Sequence, residues 1–138
     1  MTGGPSDARP IETGVGRFEL RADGIIFWSV SFASTIDENS AREAAAAAKA
    51  LASGEPVVIV ADARELGFAD RKARDVFADS EIEGLVATGV IVSNRVVRYL
   101  AEQFAHQTEG KRPFRIFNTE SEAVSWAKEQ LSRVRSAG

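Results

Sequence analysis

Gly89-Val90-Ile91-Val92-Ser93-Asn94 runs into an amphipathic stretch over about 94–108, and Phe114-Arg115-Ile116-Phe117-Asn118-Thr119 follows it. A short apolar run bounded by polar residues is the pattern of a buried strand. Val96, Leu100 and Phe104, widened by Val97, Ala101 and Ala105, instead repeat at helical spacing. Gly110 and Pro113 stop that helix. Thr119-x-x-Glu122 then forms a capping box and opens a last helix with Ala123, Ala127, Leu131 and Val134 on one stripe. Strands alternating with helices in this way require parallel pairing through right-handed crossovers.

Reading backwards extends the pattern. Pro56 opens the buried strand Val57-Val58-Ile59-Val60, and Gly54 ends the helix before it. That helix, about 37–52, has Asp37 as its cap and an unbroken run from Ala44 to Ala48, which lets it lie close to a sheet. A second helix starts near Asp70 and passes Val76 and Phe77; from Glu81 to Val86 it is interrupted by Gly84. Upstream, Phe18 and Leu20 alternate with Arg17, Glu19 and Arg21, a strand with one wet face at a sheet edge. Asp23-Gly24 turns the chain into Ile25-Ile26-Phe27-Trp28-Ser29-Val30-Ser31-Phe32. Here Ile26, Trp28, Val30 and Phe32 point one way, Ile25 and Phe27 the other. The order ββαβαβαβα predicts an α/β fold with a mixed, mostly parallel sheet and an N-terminal antiparallel hairpin. Residues 1–13, with Gly3-Gly4-Pro5-Ser6 and Pro10, read as a flexible leader, and 14–136 as a single domain.

Composition removes several function classes. The chain has 138 residues, room for one ordinary domain, with 17 Lys and Arg against 20 Asp and Glu for a net charge of −3. Nucleic-acid binders usually carry a basic excess on one face, so no nucleic-acid partner is expected. No Cys is present and His106 is the single histidine, which leaves no thiolate chemistry and no multi-histidine metal site. No segment reaches the roughly 20 apolar residues of a membrane span. The N-terminus lacks the apolar core of a signal peptide, and a cytoplasmic location is expected.

With its hairpin, its three strand–helix alternations and the ending Phe114-Arg115-Ile116-Phe117-Asn118-Thr119-Glu120-Ser121-Glu122-Ala123-Val124-Ser125-Trp126, the chain resembles SpoIIAA-like proteins over about residues 15–132. These are the STAS domains and a branch of small uncharacterised bacterial proteins. The resemblance implies a regulatory, protein-binding module, as in anti-sigma-factor antagonists. Through the wider superfamily it also implies kinship with CRAL-TRIO domains, which hold lipids in an apolar pocket. Antagonists of the signalling branch carry a phosphorylatable Ser or Thr at the helix start after the central strand. The stretch here reads Ala69-Asp70-Arg71-Lys72-Ala73-Arg74, without the hydroxyl, so no phospho-switch is expected.

Open α/β sheets bind ligands beyond the carboxyl ends of their parallel strands. Those ends hold Thr35 and Asp37, then Asp62 and Arg64, then Ser93, Asn94 and Arg95, then Asn118 and Thr119. Asp62, Arg64, Ser93, Asn94, Asn118 and Thr119 are therefore the candidate ligand-binding residues, although helix capping accounts for several of the same residue types. Ser93 cannot use His106 as a base, since thirteen helical positions separate them by roughly 20 Å at 1.5 Å each. Glu120 and Glu122 suit a first helical turn, and the pattern Arg71-Lys72-x-Arg74 among Asp70, Asp75 and Asp79 suits a solvated, ion-paired face. Gly14-x-Gly16 lacks a third glycine, no Gly-Lys-Ser/Thr loop exists, and no cofactor is expected.

The first expectation is thus a non-catalytic module that binds a protein or a second copy of itself as a homodimer, with the hairpin edge as one route to self-association. The alternative is a carrier or sensor of a small lipophilic ligand, for which Trp28, Trp126, Phe68, Phe77 and Phe104 are candidate pocket residues. Such a pocket must leave space that the apolar faces themselves do not demand.

Overall fold

The computed structural model describes residues 9–137, and its strands are β1 (Ile11–Thr13), β2 (Gly16–Leu20), β3 (Ile25–Val30), β4 (Thr35–Ile36), β5 (Val57–Asp62), β6 (Phe68–Ala69), β7 (Leu85–Ile91) and β8 (Phe114–Phe117). The helices are α1 (Glu38–Ala52), α2 (Arg71–Asp79), α3 (Arg95–Gln107) and α4 (Glu120–Ala137). Six strands form the main sheet in the order β1-β2-β3-β5-β7-β8. The first three are antiparallel, and β3, β5, β7 and β8 run parallel.

Alternation along β3 divides the core in two. Ile26, Trp28 and Val30 face the side covered by α1, α2 and α3, where they join Phe18, Ala44, Ala73 and Val97. Ile25 and Phe27 face α4, with Val58, Val60, Ile91, Trp126 and Leu131. Trp126 comes close because β7 offers it Gly89, where a Cβ would lie 3.3 Å from the indole and 3.2 Å from Phe117. Trp28 is fixed by stacking on Phe18, with ring centroids 4.8 Å apart, and by donating its Nε1–H to the Val15 carbonyl at 3.0 Å.

Several expectations are corrected. The leader was expected to reach residue 13. Residues 1–8 lie outside the described residues, but Ile11–Thr13 pair with Gly16–Phe18 as a further antiparallel strand. The strand read as a sheet edge is therefore interior over half its length, since β1 satisfies hydrogen bonds that Phe18 and its neighbours would otherwise leave open. The second strand stops at Val30, and Ala33, at φ 55, turns the chain so that Phe32 is 80% exposed rather than buried. β7 begins at Leu85, because β5 supplies a parallel partner from Val57↔Leu85 and Gly84 makes the turn before it at φ 93. On α3 the buried residues are Val97, Leu100 and Ala101, and Val96 is exposed, so the stripe is rotated by one position. Val134 lies near the open end of α4 and is exposed as well.

Candidate functional site

At the carboxyl ends of the parallel strands the polar side chains are bound to one another. Arg64 donates from Nε to Asp62 Oδ1 at 2.8 Å and from Nη2 to Oδ2 at 2.7 Å, a bidentate pair. Ser93 Oγ donates to the Arg64 carbonyl at 2.9 Å. Asn94 caps α3, its Oδ1 accepting from the Val97 N–H at 2.9 Å. Asn118 Oδ1 accepts from Arg98 Nη2 at 2.7 Å, which ties the end of β8 to α3. At the start of α4 Thr119 Oγ1 accepts from the Glu122 N–H at 3.2 Å and donates to Glu122 Oε1 at 3.0 Å, in place of the expected reciprocal capping box. Glu120 lies between Arg64, at 3.9 Å, and Arg21, at 3.7 Å.

Each of the six candidate residues thus sits at the rim, and each has an internal partner. Asp62, Arg64 and Ser93 come together directly. The Arg64 hydrogen bond holds the Asp62 carboxyl below its ordinary value of 3.8, against the opposing effect of partial burial. Asp62 in turn raises Arg64 above its ordinary value. Ser93 directs its proton at a backbone carbonyl, and His106 lies at the other end of α3. Among the described residues no group of three or more His, Cys, Asp or Glu side chains is placed to hold a metal ion.

The same corner exposes large apolar side chains. The chain after β3 is zipped to the chain after β5: the Ala33 N–H bonds to the Glu65 carbonyl, and the Gly67 and Phe68 N–H groups both bond to the Ser34 carbonyl. The small β4–β6 ribbon continues the zipper, with Thr35 opposite Phe68. Phe32 and Phe68 stand out from these joined loops, 80% and 46% exposed. Val96 and Tyr99 do the same from the first turns of α3, which packs beside β6. Sequence alone did not single out this set, because alternation along β3 assigned Phe32 to the core.

A second feature lies beneath the helices. Between the sheet and α1, α2 and α3 is an apolar cavity of about 150 Å³. A chain of rings, Phe18–Trp28–Phe77–Phe104–Phe114, runs along it with successive centroids 4.8–6.3 Å apart. Ala44, Ala45 and Ala48 of α1, with Ala61 of β5 and Ala101 of α3, complete the lining and are too short to fill the space. Arg74, expected on a solvated face, turns inward and lines the cavity, its Nη1 donating to the Ala69 carbonyl at 2.7 Å. The legible signal for it was the spacing Arg74-x-x-Phe77-Ala78, which places an arginine on the buried side of α2. Phe68 and Trp126, also candidates for a pocket, are not in its lining; Phe68 is exposed and Trp126 lies on the opposite face of the sheet.

In comparisons with known proteins, residues 18–131 match the family described as "Domain of unknown function (DUF7793)". The fold is SpoIIAA-like. An uncharacterised DUF3478-family protein of that fold from Shewanella loihica PV-4 superposes with a TM-score of 0.53 at 10% identity, over 86% of this chain and 90% of its own. An anti-sigma factor antagonist from Mycobacterium paratuberculosis superposes with a TM-score of 0.59 at 18% identity, over 87% and 93%. No curated protein matches the sequence.

Proposed function

We propose that this chain, which belongs to the DUF7793 family, is a cytoplasmic, non-catalytic module that binds a protein partner through the apolar corner formed by Phe32, Phe68, Val96 and Tyr99. The carrying observation is the contrast within that corner. Its polar side chains have internal partners, whereas its large apolar ones face solvent. Exposed aromatic side chains grouped in this way are a usual mark of a protein-binding surface. The likeness to an anti-sigma factor antagonist supports the same class of function.

The occupant is a different protein rather than a second copy. Arg71 and Arg95, in the first turns of α2 and α3, lie beside the corner and make no ion pair among the described residues. A two-fold contact would set this cationic rim against itself, while a partner with acidic residues around an apolar centre complements it. The hairpin edge is a poor route to self-pairing, since β1 is only three residues long and follows Pro10. Recognition operates without a phospho-switch, because α2 opens with Asp70, Arg71 and Lys72 where the resembling antagonists carry a hydroxyl.

Capture from native cells with the wild type and a Phe32→Ser/Phe68→Ser variant tests this, alongside light scattering of the purified chain. The expected result is a monomer near 14.9 kDa and one or more partners retained by the wild type and lost by the variant. A stable dimer broken by the same substitutions overturns the heterologous reading, and identical recoveries from both proteins overturn the docking corner.

A further inference from the structure

We propose that the cavity beneath α2 is a binding site for a small apolar carboxylic acid, its body among the aromatic rings and its carboxylate on the Arg74 guanidinium. This site is separate from the docking corner and does not depend on it.

Size sets the first limit. Apolar voids of about 150 Å³ accept a guest of benzene size. The cavity here has that volume, about 150 Å³, and a nearly continuous aromatic wall. It is too small for a nucleotide or an extended acyl chain, and a single ring or a short branched chain fits. The roof is α2, which packs mainly on α1 and α3 and touches Trp28 through Phe77, with ring centroids 5.7 Å apart. The cavity is partly open to solvent, so entry leaves the sheet undisturbed.

Charge sets the second. No Asp or Glu is among the lining residues, whereas Arg74, Lys111 and Arg112 all are. Of the other polar groups there, Ser80 Oγ donates to the Val76 carbonyl, Thr108 Oγ1 to the Phe104 carbonyl and Lys111 Nζ to the Ala78 carbonyl. Arg74 differs. Its Nη1 is used, but its Nε is buried and has no hydrogen-bond partner among the described residues. An unmatched donor on a cationic group is costly in an apolar setting. A carboxylate is the complementary group, because its two oxygens match the guanidinium fork. An amine would meet the like charge of Arg74, and a neutral ring would leave the donor unmatched.

Phenylacetate is the probe, with phenylacetamide and 2-phenylethylammonium as neutral and cationic controls of similar shape. Titrations followed by amide chemical shifts should show saturable changes in α2 and in the cavity side of β5 and β7, with phenylacetate binding at least tenfold tighter than either control. Arg74→Met, which keeps the aliphatic stem, should abolish that tenfold preference while phenylacetamide still binds. Ala45→Leu, which fills the void from α1, should abolish binding of both without unfolding the chain. The proposal is overturned if no probe shifts the cavity residues, if acid and amide bind equally, or if Arg74→Met leaves the preference intact. None of these readouts involves Phe32 or Phe68, so failure here and failure of the docking corner are told apart.

Discussion

On one face of the sheet α4 alone lies across the strands, and Trp126 fills the hollow that Gly89 leaves against Phe117. On the other face three helices lie over a similar apolar surface, and a void of about 150 Å³ remains. The difference comes from side-chain volume. The α4 face receives Trp126 and Leu131 beside Ala123 and Ala127, whereas α1 contributes mostly alanines over its buried stripe. Alanine permits close approach of a helix backbone, but where the sheet twists away it has nothing with which to follow. One face is built for stability, and the other retains room.

The largest effect expected is on the filled face. Trp126→Ala should lower the unfolding free energy by about 4 kcal/mol, measured by urea denaturation. A loss below half that value would mean that α4 is no better packed than its counterparts. Enlarging matched alanines compares the faces directly. Ala127→Leu, at a fully buried position on α4, should cost about 2 kcal/mol through overpacking, whereas Ala45→Leu on the cavity side should add about 1 kcal/mol. Equal costs at both positions would break the comparison.

Helix caps probe the faces from the rim. Asn94→Ala and Thr119→Ala remove the N-caps of α3 and α4, and each should cost about 1 kcal/mol in thermal or chemical unfolding. If α3 is the more loosely held helix, amide exchange should accelerate across its first turns in Asn94→Ala more than across α4 in Thr119→Ala.

The smallest effect is the pH dependence of Asp62. Its carboxyl is held below 3.8 mainly by the hydrogen bond from Arg64. A carboxyl whose pKa is lower in the folded than in the unfolded state contributes stability above the unfolded value, and loses it as pH falls through the folded one. Asp62→Asn should therefore leave a shallower acid limb below about pH 4, with little pH-dependent difference from wild type between pH 5 and 8. An unchanged acid limb would show that Asp62 and Arg64 do not hold the rim together.

Legibility followed the physics of each segment. Asp37, Asp70, Asn94 and Thr119 cap helices where local hydrogen bonding alone places them, and β8 runs over Phe114–Phe117 as its apolar run indicates. Local rules failed where a partner strand or a neighbouring helix decided the outcome. β7 extends back to Leu85 because β5 pairs with it, and Phe32 is exposed because the loops after β3 and β5 bond to each other. The rim was legible as a group of residue types. Its network of pairings was not, because apart from the local Asp62–Arg64 pair the bonds Ser93 to Arg64 and Arg98 to Asn118 cross between elements.

From residue order alone came the strand–helix alternation, the caps and the absence of any Cys or second His, since periodicity, capping and composition act within a few positions of the chain. Only the tertiary structure decided that the alanines of α1 face an unfilled space, that Arg74 turns towards it and that four large apolar side chains share one exposed corner. Voids and patches are properties of surfaces brought together from distant segments. Their existence depends on how closely those surfaces meet, which no local pattern specifies.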